Sequence, residues 1–264
     1  MKNEINIKIS NPNKIIDGTT KKIDVINYYN DIFSYIHPFI KNRAISELRC
    51  HDCFFDCFFK KHPANSSDSL ITVNSKKEFL NEVQLGTIEF HPYANLLTSN
   101  LPNIMIFDLD PDENLSIKKL REGVFILKQF LDELNLTSFL KTSGGKGYHI
   151  VIPFKKTKSW QDFESFAKNI AYVLESKHPR IFTTNIRKDS RNGKIFIDYL
   201  RNKQGATCVA PYSLRARKKL PVSIPISWND LDKIKPNQIT IKNYKKFLKL
   251  DVWKDFFKVN QKLI

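Results

Sequence analysis

Two aspartates separated by one leucine, Asp108-Leu109-Asp110, follow the apolar run Ile104 to Phe107. On a β-strand the side chains at i and i+2 share a face. Both carboxylates then project together, roughly 7 Å apart along the strand, while Leu109 faces the opposite layer. Like charges at that spacing repel unless a cation lies between them. Hard oxygen ligands suit Mg2+ or Mn2+, which keep part of their water and recruit substrate phosphates. The same spacing also fits a strand end whose acids face water or cap the next helix. A third acid, Asp198, stands inside Ile195-Phe196-Ile197-Asp198-Tyr199-Leu200. Burying a carboxylate there is costly without a cation. Arg201 is close enough in sequence to supply one; alternatively, three acids on neighbouring strands would make a two-metal centre.

The second cluster is Ser143-Gly144-Gly145-Lys146-Gly147-Tyr148-His149. Closely spaced glycines let the backbone approach a ligand and offer amides to an anion. Lys146 adds a point charge, and Ser143 and His149 add donors. The order of a Walker A loop is absent. A strand rather than a helix follows the glycines, which excludes a Rossmann turn. A tight hairpin would explain the glycines but not the Ser, Lys and His. Further on, Arg215 and Arg217 stand two residues apart in Ala210-Pro211-Tyr212-Ser213-Leu214-Arg215-Ala216-Arg217. In an extended segment they share a face and could grip phosphate oxygens; a solvated basic loop is the alternative. Cys50, Cys53 and Cys57 crowd into RCHDCFFDCFFKKH with His51 and His62, and Cys208 lies apart. Zinc is disfavoured because no second Cys pair follows at a zinc-site spacing. A disulfide is expected even less in a reducing compartment. The phenylalanines at 54, 55, 58 and 59 read as packing or stacking residues.

These side chains need a folded scaffold, and the composition supplies one. The chain has 264 residues, 41% hydrophobic and 27% charged, enough for a full core and unlike a disordered tail. Its net charge of +16 favours a polyanionic partner, nucleic acid or an anionic membrane surface. The membrane is the weaker candidate, because no apolar run approaches the ~20 residues of a spanning helix. The N-terminus, MKNEINIKIS, lacks a signal-peptide core, so a cytoplasmic, nucleoid-associated protein is expected.

Apolar spacing predicts helices over Asp24–Lys41, from a Ser75/Glu78 capping box to just before Gly86, over Ser116–Asn135, and onward from a Ser159 cap. An amphipathic helix, broken near Asp251, is expected over Lys242–Phe257. Strands are expected at 104–110, 148–154, 194–200 and 206–212. Helices alternating with strands imply an α+β or mixed α/β fold, with central mixed or antiparallel sheets flanked by helices. No repeat or linker divides the chain. Residues 1–264 are therefore expected to form a single domain, with an N-terminal DNA-binding part (1–100), a catalytic core (101–230) and a C-terminal helical segment (231–264).

Taken together and in order, FDLDP, KTSGGKGYHIVIP, IFIDYLRN and GATCVAPYSLRAR resemble the polymerase domain of bacterial DNA ligase D, a member of the archaeo-eukaryotic primase superfamily. The resemblance runs from Ile9 to Trp228. It implies a primase-polymerase core that transfers nucleotides to a 3′-hydroxyl in bacterial non-homologous end joining. It implies that Asp108, Asp110 and Asp198 are the catalytic, metal-binding acids, holding two Mn2+ or Mg2+ ions. It assigns Ser143, Lys146, His149, Arg215 and Arg217 to the nucleotide triphosphate, and His91 of FHPY to the incoming nucleotide. Lys14 and Lys22 look like the lysines that receive a 5′-phosphate on the downstream strand. Phe58 and Phe59 correspond to an aromatic pair near the template, where a base could stack. The family often has Gln where Lys60 stands and Trp where Tyr93 stands.

The resemblance further implies nucleoside triphosphates, ribonucleotides preferred, as substrates. The expected partners are gapped or broken DNA ends bearing a 5′-phosphate, the end-binding protein Ku, and a DNA ligase that is a separate protein if the chain is complete. A primase that starts chains de novo would use the same acids. A non-catalytic DNA-end-binding protein would keep the basic surface but need no acidic triad.

Overall fold

The computed structural model describes residues 7–51, 56–63, 68–248 and 252–263. Among these, the elements run β1 (Ile15–Asp17), β2 (Thr20–Lys21), α1 (Lys22–Ile40), β3 (Ala44–Cys50), β4 (Cys57–Lys60), β5 (Ile71–Thr72), α2 (Lys76–Gln84), β6 (Thr87–Pro92) and β7 (Ile104–Pro111). They continue with α3 (Ile117–Glu133), β8 (Phe139–Thr142), β9 (Tyr148–Pro153), α4 (Trp160–Lys177), β10 (Phe182–Thr183), β11 (Ile195–Asp198), β12 (Ser213–Leu214), β13 (Val222–Ser223) and β14 (Pro225–Ile226). The fold is the mixed α/β type expected from the sequence. Two compact units emerge, and the chain passes between them repeatedly. The first takes 1–93, 207–224 and 239–248; the second takes 94–206, 225–238 and 249–264.

In the first unit, β3 pairs antiparallel with β4, β5 and β6. The helix α1 buries Val25, Ile26, Tyr28, Tyr29, Ile32, Ile36 and Ile40 along one stripe. Tyr29 meets Phe79 of α2 and Phe90 of β6 edge-on, both at 5.3 Å between ring centroids. The expected box starts α2: Ser75 Oγ accepts the Glu78 N–H at 3.2 Å, while Glu78 accepts the Ser75 N–H at 3.3 Å.

In the second unit, six strands form one sheet in the order β10-β11-β7-β9-β8-β14. Every pair is antiparallel except β10–β11. Along β7 the burial alternates strictly. Met105, Phe107 and Leu109 are fully buried, while Ile106, Asp108 and Asp110 face the other way. Ser116 and Ser159 cap α3 and α4, accepting the N–H groups of Lys119 and Asp162. At Gly123 α3 comes close to the sheet: a Cβ there would lie 2.3 Å from Ile195 Cδ1, and that side chain would have to shift.

Three local expectations are corrected. Residues 206–212 are not a strand: Pro211 has no N–H to donate, Tyr212 turns into the left-handed region at φ 66°, and the strand is β12 beyond them. The expected strand over 194–200 stops at Asp198 and passes into a short 3-10 helix, Tyr199–Asn202. There the Asn202 side chain bonds both the N–H and the C=O of Ile106, each at 2.8 Å, taking over the edge of β7 that β11 leaves. The segment 242–257 is not one helix among its described residues; it holds the 3-10 turns Tyr244–Lys246 and Phe256–Lys258. Its apolar stripe is divided. Tyr244 packs on Tyr28 in the first unit, while Trp253 and Phe256 pack on Phe139 in the second. The expected break at Asp251 lies outside the described residues.

The cysteines also depart from expectation. The antiparallel register sets Cys50 directly opposite Cys57, and the two are joined by a disulfide. That pairing uses the thiolates a zinc knuckle would need; Cys53 lies outside the described residues, as do Phe54 and Phe55. Cys208 is buried. No described helix is long and apolar enough to cross a membrane.

Candidate active site

The register of the second unit's sheet lines up a row of polar side chains. Asp198 of β11 stands opposite Asp108 of β7, Asp108 opposite His149 of β9, and His149 opposite Lys141 of β8. Directly opposed residues share a face. Asp110 is two residues on from Asp108 and lies on that face too. The three candidate acids are therefore brought onto one side of one sheet, which the spacing alone did not establish.

Charge explains how the row holds together. Burial pushes the Asp198 carboxyl upward; Arg201 pulls it down, and the charges of Asp108 and Asp110 raise it again. Arg201 Nε lies 3.0 Å from Asp198 Oδ2 and 3.8 Å from Asp108 Oδ2. It touches both facing acids, so the salt-bridge alternative read from the sequence is present. Arg191, buried and set over the Phe196 ring, donates to Asp110 Oδ2 at 2.7 Å. His149 Nε2 is 3.3 Å from Asp108 Oδ1, and its Nδ1 is 2.9 Å from Lys141 Nζ. An ammonium can only donate, so with Lys141 charged Nδ1 accepts and Nε2 carries the hydrogen towards Asp108. Lys141 is only 1% exposed and Asn202 is likewise buried. Sequence reasoning missed both, although a lysine in an apolar strand, in SFLKTSGG, was a visible signal.

The glycine loop joins β8 to β9. Ser143 closes it: its Oγ accepts the N–H groups of Gly145 at 3.0 Å and Gly147 at 3.2 Å. The hairpin does use its serine, contrary to the sequence argument. At Gly147 a Cβ would sit 2.0 Å from the Leu109 carbonyl oxygen, so only glycine lets the loop lie against β7 between the two aspartates. Lys146 reaches outward to Glu113 Oε1 at 2.6 Å, and both side chains are solvent-exposed.

The remaining candidates belong to the first unit. His91 Nε2 and Arg215 Nε both meet Glu89 Oε2, at 2.8 and 2.9 Å. The extended segment expected for the two arginines is a turn instead, in which the Arg217 N–H bonds the Arg215 carbonyl and the Arg217 side chain is exposed. Phe58 and Phe59 are adjacent on β4 and so point to opposite faces. Phe58 stacks on His51 at 5.1 Å, while Phe59 meets His91 edge-on at 5.4 Å. Lys14 and Lys22 flank the β1–β2 hairpin and are close enough to sense each other: burial and the Lys14 charge lower the Lys22 ammonium.

The donor chemistry of the acid row suits a hard divalent cation: carboxylates only, two of them facing each other, with Asp198 pushed upward by burial and by its neighbours' charges. Among the described residues no three His, Cys, Asp or Glu side chains already converge on one point. The fit therefore rests on the facing pair Asp108 and Asp198, with Asp110 beside them.

The six-stranded sheet carries a polar row on one face, with a glycine hairpin lying against β7. The LigD primase-polymerase domain family matches residues 21–256, and the chain belongs to that family, whose members are nucleotidyltransferases. It is 32% identical over 281 residues to the multifunctional non-homologous end joining protein LigD of Pseudomonas aeruginosa, covering 97% of this chain and 34% of that protein. It is 27% identical over 240 residues to the bifunctional non-homologous end joining protein LigD of Bacillus subtilis, covering 85% of this chain and 39% of that protein. The chain thus spans about a third of the length of these relatives. Among solved structures, the polymerase domain of Mycobacterium tuberculosis ligase D in complex with DNA superposes with a TM-score of 0.86 at 25% identity, covering 94% of this chain and 96% of that one.

Proposed function

We propose that this chain is a template-directed polymerase that fills gaps at DNA ends during bacterial non-homologous end joining. The observation that carries the reading is the row Asp198, Asp108, His149 on one face of the six-stranded sheet, in a member of the LigD primase-polymerase family. Asp108, Asp110 and Asp198 would hold two divalent ions, Mn2+ or Mg2+. When bound, such ions activate a primer 3′-hydroxyl and neutralise the leaving pyrophosphate. His149 holds its Nε2 hydrogen on the acid row, ready to meet a phosphate oxygen. Ser143 and Gly147 fix the loop that carries Lys146, and Arg215, Arg217 and His91 bind the nucleotide. No side chain is assigned as a general base.

In this reading residues 1–264 act as one catalytic domain. The first unit contributes DNA binding: Lys14 and Lys22, two neighbouring cations, receive the 5′-phosphate of a gap, and Phe59 offers a ring to a template base, with Phe58 on the other side of β4. The solved relative bound to DNA and the +16 charge support a DNA partner. Ribonucleotide preference, Ku and a DNA ligase are further elements of the proposal, supported by the family. The test is primer extension on a gapped duplex with a 5′-phosphate, comparing ribo- with deoxyribonucleotides and Mn2+ with Mg2+. Templated addition, greatest with ribonucleotides and Mn2+, is expected. Efficient unprimed dinucleotide synthesis would make it a primase, and DNA binding without any synthesis would make it an end-binding protein.

A further inference from the structure

Glu89 lies on β6 between the apolar Ile88 and Phe90, and it is 3% exposed. An unpaired carboxylate in such a position would be expensive. Both of its oxygens are engaged. Oε2 accepts from His91 Nε2 at 2.8 Å and from Arg215 Nε at 2.9 Å, while Oε1 accepts the backbone N–H of Ala216 at 2.8 Å. Burial opposes its ionisation, but the His91 hydrogen bond, the Arg215 charge and the Ala216 N–H outweigh that, and the carboxyl is drawn down to about 2. It is therefore a full negative charge at any working pH.

The geometry does more than cancel charge. Bonding through Nε fixes the plane of the Arg215 guanidinium, so its remaining N–H groups point in one set direction. The bond to Ala216 pins the backbone of the same turn. On the other side, the Glu89–His91 bond fixes an imidazole whose ring also meets the edge of Phe59 at 5.4 Å. One buried carboxylate thereby orients a guanidinium from the 207–224 segment and an imidazole from β6, residues 126 apart in one case and 2 in the other. A residue needed only to fill the sheet would be apolar, like its neighbours.

We propose that Glu89 is a positioning residue for nucleotide binding: without touching the substrate, it presets Arg215 and His91 in their binding orientations. The proposal rests on the reading of those two residues as nucleotide ligands. A purely stabilising role would leave the apparent nucleotide affinity alone, whereas a positioning role changes it whatever happens to the melting temperature.

The test is steady-state gap filling by wild type, Glu89→Gln, Glu89→Asp, Arg215→Ala, His91→Ala and the Glu89→Gln/Arg215→Ala double variant, with melting temperature and DNA affinity measured on each. Glutamine keeps the volume and removes the charge. Glu89→Gln should raise the nucleotide KM by about tenfold, the size of one lost charge-assisted hydrogen bond, with a smaller change in kcat. DNA affinity should stay within about twofold, and Glu89→Asp, which keeps the charge, should recover part of the loss. In the Arg215→Ala background Glu89→Gln should add less than half of its effect, because the two act as a unit. A wild-type KM in Glu89→Gln, or a fully additive effect in the double variant, would overturn the proposal. If Glu89→Gln does not fold, Glu89→Leu, which fills the space without a carboxylate, takes its place, and a wild-type KM there with Arg215→Ala impaired overturns the proposal equally. Should Arg215→Ala and His91→Ala themselves leave KM unchanged, the nucleotide assignment fails first and the positioning role with it.

Discussion

Two acids, one in each compact unit, are held in opposite ways. In the first, Glu89 is buried among protein donors that supply all the positive charge it needs, and its carboxyl is drawn down to about 2. In the second, Asp198 faces Asp108 directly across two strands, and burial pushes its carboxyl upward although Arg201 sits at 3.0 Å. The first arrangement is completed by folding. The second retains a demand for positive charge that half-exposed Arg201 meets only in part, since one guanidinium is shared between two carboxylates. In the proposed reading, the satisfied cluster serves binding and the facing acids serve chemistry.

The largest effect is expected from breaking the second cluster. Asp108→Ala or Asp198→Ala should lower primer extension by about 10^3-fold or more while DNA affinity changes by less than about twofold, because many basic groups hold the strand. Near-normal extension by either variant would remove these acids from the chemistry.

The first cluster should show itself as acid sensitivity. With its folded value near 2 and its unfolded value near the ordinary 4.5, Glu89 contributes stability that is complete above pH 4.5 and is lost as pH falls towards 2. That contribution is on the order of 3 kcal/mol. Denaturant melts of wild type and Glu89→Gln between pH 2 and 6 should converge at the acid end. Parallel curves would show that Glu89 is not held as described.

How much of this was legible beforehand depends on the range of the interaction. The Ser75/Glu78 box and the caps at Ser116 and Ser159 are local, and the sequence carries them in full. The alternation along β7 put Asp108 and Asp110 on one face for the same reason. That Asp198 stands opposite Asp108 is a matter of strand register between segments far apart in sequence; the residues left it as an alternative to a salt bridge with Arg201, and the family resemblance favoured it. Lys141 and Glu89 escaped notice because the partners that explain them, His149 across the glycine hairpin and Arg215 126 residues on, are brought close only by the fold. The strand expected at 206–212 and the helix expected at 242–257 failed where the chain crosses between units and tertiary contacts override periodicity.

Smaller effects would sharpen the division of labour. His149→Ala and Arg215→Ala should each raise the nucleotide KM and lower kcat, by about 10- to 100-fold in kcat/KM, since phosphate contacts serve both binding and the transition state. If steady-state kinetics showed only weaker DNA binding, both residues would move to the strand-binding surface. Smaller still, Lys14→Ala should remove most of the preference for a 5′-phosphorylated gap, a few-fold in Kd at fixed salt, because a terminal phosphate carries more charge than a diester. Equal weakening on phosphorylated and hydroxyl-ended gaps would make Lys14 one more solvated cation.

The contrast between the units is tested most directly by titrating Mn2+ into the protein without DNA or nucleotide and following free Mn2+ by its electron paramagnetic resonance signal, in wild type, Asp108→Ala, Asp198→Ala and Glu89→Gln. The account predicts Mn2+ uptake by wild type, loss of that uptake in both aspartate variants, and unchanged uptake in Glu89→Gln, whose site the protein already neutralises. Uptake that survives loss of either aspartate, or that disappears with Glu89, would contradict it.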